Sequence, residues 1–115
     1  MTIQTDAIKP GTRSITLTGP LTLNTMFEFQ TEVRREGSDS IVVDLSGVPY
    51  MDSAGLGCLL GAMASCQRSQ RGFALAGMND RVRTVFQVTK VDSLVPSYAS
   101  VDAAVAALKT KSASA

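Results

Sequence analysis

Histidine is absent from the 115 residues of this chain, and its absence excludes several kinds of chemistry. Without an imidazole, the chain cannot assemble Ser-His-Asp or Cys-His catalysis. The two cysteines, Cys58 and Cys66, are too few for a structural zinc site when no histidine can join them. Any general acid or base would have to be a carboxylate, a lysine or a tyrosine. We therefore predict that the chain is not an enzyme and needs no cofactor.

Long apolar runs and blocks of like charge are also missing. Eleven Lys and Arg residues nearly balance ten Asp and Glu residues, without a basic stripe, so we expect no nucleic-acid partner. No apolar run is long enough to cross a membrane. The first residues lack the basic and apolar segments of a signal peptide, so we expect a cytoplasmic protein that does not insert into membranes.

Cys58 and Cys66 fall eight residues apart in one predicted helix, which separates them by about 12 Å of rise. That separation is too large for a disulfide, so both are expected to be free, small packing residues. The apolar content of 44% and the length suit one globular domain. We predict a single domain over residues 1–109, a flexible tail over 110–115, and a monomer.

The pattern of apolar residues predicts strands that alternate with helices after an initial pair of strands. This order indicates an α/β fold with a mostly parallel central sheet of four to five strands and about four helices. Strands are predicted over 3–8, 14–18 (with one wet face), 40–45, 72–76 and 93–98, the last interrupted by Pro96. Helices are predicted over 22–35 (apolar face Leu23, Met26, Phe27, Val33), over 53–70 (Leu56, Leu59, Leu60, Met63), after a cap at Asn79, and after a cap at Ser100.

The segment Asp52-Ser53-Ala54-Gly55 opens the second predicted helix just beyond a buried strand, where α/β sheets commonly place functional residues. Ser53 stands where an N-cap residue would stand, so one interpretation is a purely structural cap. The other is an accessible phosphate acceptor, because small residues around Ser53 would let a second protein approach its hydroxyl.

Glycines at 55, 57 and 61 are unfavourable for helix stability, which indicates either close packing against the sheet or access for a partner. A dinucleotide fingerprint would need a third glycine where Leu60 stands, and no P-loop follows. An enzyme could at best use Asp44 and Asp52 as a carboxylate pair near Ser53. The simpler role for Asp44, at the end of a buried strand, is to accept hydrogen bonds from loop N–H groups.

Residues 44–57, DLSGVPYMDSAGLG, resemble the signature of STAS domains of the anti-sigma-factor antagonist type, and a looser similarity covers nearly the whole chain. The resemblance implies that the unphosphorylated domain binds an anti-sigma factor that is also a serine kinase. That kinase would use ATP to phosphorylate Ser53 and end the interaction. A metal-dependent serine phosphatase of the 2C type would reset it.

By this resemblance the partner-binding face comprises Thr22, Asn24, Asp52, Ser53, Ala54, Gly55, Leu56 and Gly57. The sequence departs from the family at Thr22, where many members carry an acidic residue. An alternative is a STAS scaffold or regulatory subunit that acts on a signalling complex or a transport system.

A phosphate on Ser53 would add about −1.5 to −2 charges at neutral pH. We expect free N–H groups at the helix N-terminus to hold it and the Asp52 carboxylate to repel it. The predicted effect is loss of partner binding with the fold kept.

Overall fold

The predicted alternation of strands and helices is confirmed in a computed structural model, which describes residues 1–34 and 40–113. The elements in chain order are β1 (Thr2–Lys9), β2 (Thr12–Thr18), α1 (Met26–Arg34), β3 (Ser40–Gly47), α2 (Ser53–Arg68), β4 (Phe73–Ala76), α3 (Asp80–Val88), β5 (Ser97–Tyr98) and α4 (Val101–Ala113). None of the described helices is long and apolar enough to cross a membrane.

The five strands form one sheet in the order β1-β2-β3-β4-β5. β1 pairs antiparallel with β2, and every later pair of neighbours is parallel. Parallel neighbours need a crossover connection, and here a helix supplies each one: α1, α2 and α3 in turn. The prediction of a mostly parallel sheet with about four helices is therefore confirmed. The carboxyl ends of β2, β3 and β4 lie along one edge of the sheet.

The helices divide between the two faces of the sheet. One face carries α1, α2 and α3, and the other carries α4, because alternate residues of each strand point to opposite faces. The core of the first face includes Ile15, Leu17, Ile41, Val43 and Leu75 of the strands with Phe29, Leu59 and Phe86 of the helices. The core of the second face includes Val42, Ala74 and Ala76 with Ala104 and Leu108 of α4.

The prediction that β2 has one wet face is confirmed only in part. On its polar face, Ser14 is buried, Thr16 is half-buried and Thr18 is exposed. Arg13 is only 4% exposed and points towards α1, where its guanidinium donates to the backbone carbonyls of Glu32 and Val33, both at 3.4 Å, and pairs with the Glu32 carboxylate at 3.5 Å. Arg13 can be buried because it has these hydrogen-bond partners in the neighbouring helix.

The first helix begins later than predicted. Residues 22–25 form a turn, in which the Met26 N–H donates to the Thr22 carbonyl at 2.8 Å and the Thr25 hydroxyl donates to the Pro20 carbonyl at 2.8 Å. Of the predicted apolar face, Val33 is buried and Met26 packs against the core, whereas Leu23, in the turn before the helix, and Phe27 are 58% and 61% exposed. The predicted helix end at residue 35 lies outside the described residues.

The C-terminal elements also differ from the prediction in extent. β5 covers only Ser97–Tyr98, because Pro96 has no N–H to donate to a sheet. Ser100 caps α4 as predicted, since its hydroxyl accepts from the Ala103 N–H at 3.1 Å. The helix continues past the predicted domain end at residue 109 as far as Ala113, and residues 114–115 of the predicted tail lie outside the described residues.

Candidate functional site

Ser53 is the first residue of α2 and is exposed at the carboxyl edge of the parallel sheet. The loop before it is held in place from both sides. The Asn79 side chain, which also caps α3, donates to the Val48 and Pro49 carbonyls at 3.1 and 3.2 Å. On the other side, the Leu21 N–H donates to the Tyr50 carbonyl at 3.2 Å. The start of α2 is therefore fixed by contacts with Leu21, in the segment after β2, and with Asn79, the cap of α3.

The helix cap is Asp52, so the prediction that Ser53 occupies the N-cap position was wrong by one residue. Asp52 has extended backbone angles, and its Oδ1 accepts from the Gly55 N–H at 2.8 Å. Asp and Ser are equally good caps, and the chain uses the one that precedes the helix. Within residues 1–34 and 40–113 the Ser53 hydroxyl has no hydrogen-bond partner. The Ser53 hydroxyl is therefore not used in capping the helix.

The second oxygen of Asp52 connects α2 to the turn before α1. Its Oδ2 accepts from the Leu23 N–H at 3.1 Å, and the Asp52 N–H donates to the Leu21 carbonyl at 3.3 Å. The N–H groups that donate to the Asp52 carboxylate lower its pKa from the ordinary value of 3.8. The Gly55 N–H is the largest cause, and the Leu23 N–H adds to it. Asp52 is therefore ionised at neutral pH and places the turn that contains Thr22 and Asn24 beside Ser53.

The structure brings the predicted partner-binding residues together, and they differ in accessibility. Asn24, Asp52, Ser53 and Gly57 are exposed, and Thr22 and Ala54 are half-buried. Gly55 and Leu56 are buried, so these two shape the site from beneath and do not present a side chain to a partner.

The three glycines of α2 have different surroundings. A Cβ on Gly55 would run into the Leu21 carbonyl oxygen, so this glycine is required by close packing between α2 and the segment that follows β2. Among the described residues, a Cβ on Gly57 or Gly61 would meet no atom within 4 Å. Packing therefore explains Gly55 alone, and the surface of α2 at Gly57 and Gly61 is open to another molecule.

The expectation that free N–H groups would hold a phosphate on Ser53 stays a prediction. The Gly55 N–H donates to the Asp52 carboxylate, so the anionic cap already uses one of the N–H groups in the first turn of the helix. A phosphate on Ser53 would stand beside the Asp52 carboxylate.

The carboxylate pair considered for an enzyme is not assembled. Asp44 accepts from the Ser46 N–H at 3.0 Å, which confirms its predicted role in the loop. It lines a depression with Ser100 and Asp102 at the start of α4, whereas Asp52 caps α2 on the opposite face of the sheet. Among the described residues, no three His, Cys, Asp or Glu side chains are grouped to hold a metal ion.

Sequence reasoning missed two exposed features beside the site. The Tyr50 ring is 42% exposed, and the Arg81 guanidinium lies over it at 5.5 Å from the ring centre. Leu23 and Phe27 form the second feature, which was assigned to the core because helical periodicity alone does not fix where a helix begins. No local sequence signal distinguishes either feature from ordinary packing residues.

Comparison with known proteins agrees with this geometry. The model of the STAS domain family matches residues 5–104. The chain belongs to the STAS domain family. An anti-sigma-B factor antagonist of Staphylococcus aureus is 32% identical over 68 residues, which cover 59% of this chain and 63% of that protein. The matched part is thus less than two thirds of that relative's length.

Solved structures of low sequence identity share the fold. A Thermotoga maritima protein described as an anti-sigma factor antagonist superposes with a TM-score of 0.85 at 24% identity, covering 93% of this chain and 94% of that chain. The phosphorylated form of the Bacillus cell fate determinant SpoIIAA gives 0.69 at 21% identity, covering 89% and 96%. A sulfate transporter family protein of Wolinella succinogenes gives 0.77 at 19% identity, covering 91% and 90%. At these identities the likeness concerns the fold alone.

Proposed function

We propose that this STAS domain is an anti-sigma-factor antagonist whose binding is controlled by phosphorylation of Ser53. The observation that carries the proposal is the position of that hydroxyl. It is exposed, it makes no hydrogen bond to the described residues, and it begins a helix whose preceding loop is held by Leu21 and by Asn79. The Staphylococcus aureus relative is an antagonist of this class, and SpoIIAA exists in a phosphorylated form.

The geometry explains how a phosphate would act on binding and leave the fold unchanged. The Ser53 side chain points away from the core, so a phosphate displaces no packed residue. Because Asp52 is ionised and adjacent, phosphorylation would concentrate a charge of about −2.5 to −3 at the start of α2. A partner surface that fits the neutral hydroxyl would then face unpaired, repelling charge, which costs several kcal/mol at a protein interface.

The proposed partner is an anti-sigma factor that is also a serine kinase, and a serine phosphatase of the 2C type would restore the hydroxyl. ATP is consumed by the kinase, and the STAS domain needs no cofactor of its own. The domain would act as a cytoplasmic monomer. Its surface at Ser53 would contact the kinase through Thr22, Asn24, Asp52, Ala54 and Gly57, with Gly55 and Leu56 supporting them from beneath.

The experiment is a capture from lysate of the source cells with two baits, Ser53→Ala and Ser53→Asp, followed by mass spectrometry. We expect a kinase-like protein to bind Ser53→Ala and to be lost from Ser53→Asp. Ser93→Asp is the matched control, because residue 93 is exposed in the loop after α3 and the variant adds the same charge elsewhere. It should retain the partner.

Circular dichroism melting of all three variants separates loss of binding from loss of fold. If Ser53→Ala and Ser53→Asp bind the same proteins, charge at Ser53 is not the switch. Recovery of transport proteins on both baits would instead favour a constitutive regulatory subunit. Loss of the partner from Ser93→Asp as well would mean that the effect is not specific to the Ser53 surface.

A further inference from the structure

A groove of about 290 Å³ runs between α1 and α2, beyond the residues assigned to the site so far. The two helices follow neighbouring parallel strands, so both begin at the edge that carries Ser53. The groove is lined by Gln30, Val33 and Arg34 of α1 and by Cys58, Gly61, Ala62, Ser65 and Arg68 of α2. We call this feature the α1–α2 groove.

Small residues make up most of the α2 side of the α1–α2 groove. Cys58 and Ala62 are small because they belong to the core, but packing does not explain the glycines. A Cβ on Gly57 or Gly61 would meet no described atom within 4 Å, although glycine is the least favourable helix residue apart from proline. The absence of side chains at Gly57 and Gly61 leaves room for a second helix to approach α2 closely.

One end of the groove is basic. Arg34 and Arg68 are exposed, stand at the C-terminal ends of their helices, and make no ion pair with the described residues. Their positive charges complement the negative ends of the two helix dipoles. Within residues 1–34 and 40–113, no acidic residue lines the groove, so the two arginines would attract an incoming carboxylate at this end.

The other end is apolar and adjoins Ser53. Phe27 precedes Gln30 and Arg34 by three and seven residues, a spacing that places all three on one face of α1. Phe27 and Leu23 are 61% and 58% exposed, and the Asp52 carboxylate fixes the Leu23 backbone beside α2. The groove lining on α2 extends from Cys58 to Arg68, about 15 Å at 1.5 Å per residue, and Ser53 lies about 7.5 Å further along the helix.

We propose that the α1–α2 groove binds a helical segment of the anti-sigma partner, about 15 residues long. Its apolar side chains contact Leu23 and Phe27, and its carboxylates contact Arg34 and Arg68. The identity of the partner rests on the proposed function, whereas the chemistry of the segment rests on the groove. The segment would extend the interface from Ser53 along the whole length of α2.

The test uses two synthetic helical peptides of 16 residues with the same leucine and alanine face. One carries glutamates in its last turn on that face and the other carries lysines. Each is titrated into ¹⁵N-labelled chain while amide shifts are recorded by NMR. We expect the glutamate peptide to shift amides of α1 and α2 along the groove, and to bind at least about tenfold more tightly than the lysine peptide.

Three variants decide the outcome. Gly61→Leu places a larger side chain on the α2 side of the groove, at a position where an added Cβ meets no described atom within 4 Å, and should abolish binding. Arg34→Glu with Arg68→Glu should reverse the preference between the peptides. Gln67→Leu is the matched control, because residue 67 is exposed on α2 outside the groove, and it should bind as the original chain does.

Equal binding of both peptides, shifts centred elsewhere, no binding at millimolar concentration, or unchanged binding by Gly61→Leu would each overturn the proposal. The peptide titration does not involve Ser53. If the Ser53 baits fail and the peptides bind as expected, the phosphorylation switch is refuted and the groove proposal stands. If the baits succeed and the peptides fail, the groove proposal is refuted and the switch stands.

Discussion

Replacing the glycines of α2 by alanine should change stability in opposite directions at different positions. In Gly55→Ala the new Cβ meets the Leu21 carbonyl oxygen, which is backbone and cannot rotate away, and which also accepts from the Asp52 N–H. Overpacking of this kind costs about 1–3 kcal/mol. Gly57→Ala and Gly61→Ala meet open space, so each should gain up to about 1 kcal/mol from better helix propensity.

The expected shifts in melting temperature follow from the length of the chain. At about 2.1 cal/mol/K of unfolding entropy per residue, 115 residues give roughly 0.24 kcal/mol/K, so 1 kcal/mol corresponds to about 4 °C. Gly55→Ala should therefore melt about 4–12 °C lower than the original chain, and Gly61→Ala up to about 4 °C higher. Circular dichroism melting and urea denaturation measure both.

A Gly55→Ala variant as stable as the original chain would show that α2 does not pack closely against Leu21. A Gly61→Ala variant destabilised as much as Gly55→Ala would show that Gly61 is also packed, which would close the groove proposed above. The three variants share one helix and one chemical change, so each serves as a control for the others.

Three further predictions concern buried and capping groups. Asp52→Ala should lower the free energy of unfolding by about 0.5–2 kcal/mol. Hydrogen bonds lower the pKa of Asp52 below 3.8, so its contribution to the free energy of unfolding should be present at neutral pH and lost as pH falls below that value. An Asp52→Ala variant that loses as much stability in acid as the original chain would contradict this. Burial raises the pKa of Cys58 to about 11 and also raises that of Cys66. Neither thiol should therefore react quickly with an aromatic disulfide reagent at pH 7.5 until the chain is unfolded, and rapid labelling of the folded chain would contradict this. Arg13→Ala should lower the free energy of unfolding, measured by urea denaturation, by about 1.5–3 kcal/mol, because it leaves buried acceptors at the end of α1 unpaired. An unchanged free energy of unfolding would show that Arg13 is not a structural link between β2 and α1.

The order of elements could be predicted because each strand and helix carries its own pattern of apolar residues. Residues 40–45 contain a β-branched run typical of a strand covered on both faces, and β3 is covered in that way. The caps at Asn79 and Ser100 could also be predicted, because a capping side chain accepts from an N–H group only three residues away. These features depend on local interactions.

The errors depend on interactions between distant parts of the chain. α1 begins at Met26 because the preceding turn is bound to Pro20 and to Asp52, which lies in a different loop. The burial of Arg13 in β2 depends on its guanidinium reaching the end of α1. The cap of α2 was misplaced by one residue because Asp52 and Ser53 are equally suitable, and tertiary contacts decide between them.

The candidate site was predicted in position but not in detail. Ser53 lies at the carboxyl edge of the sheet as expected, and the residues predicted to surround it are assembled there. The division of the glycines into packed Gly55 and open Gly57 and Gly61 could not be read from the sequence, because it depends on how closely α2 approaches the segment that follows β2.

The measurement that tests the central claim most directly is the affinity of the captured kinase-like partner for the chain with and without phosphoserine at position 53. The account predicts a loss of at least about 100-fold in affinity on phosphorylation, since repulsion of several kcal/mol at an interface corresponds to that ratio or more. The melting curves of the two forms should superpose, because the Ser53 side chain is not packed. Equal affinities for the two forms, or a phosphorylated chain that loses its fold, would contradict the account.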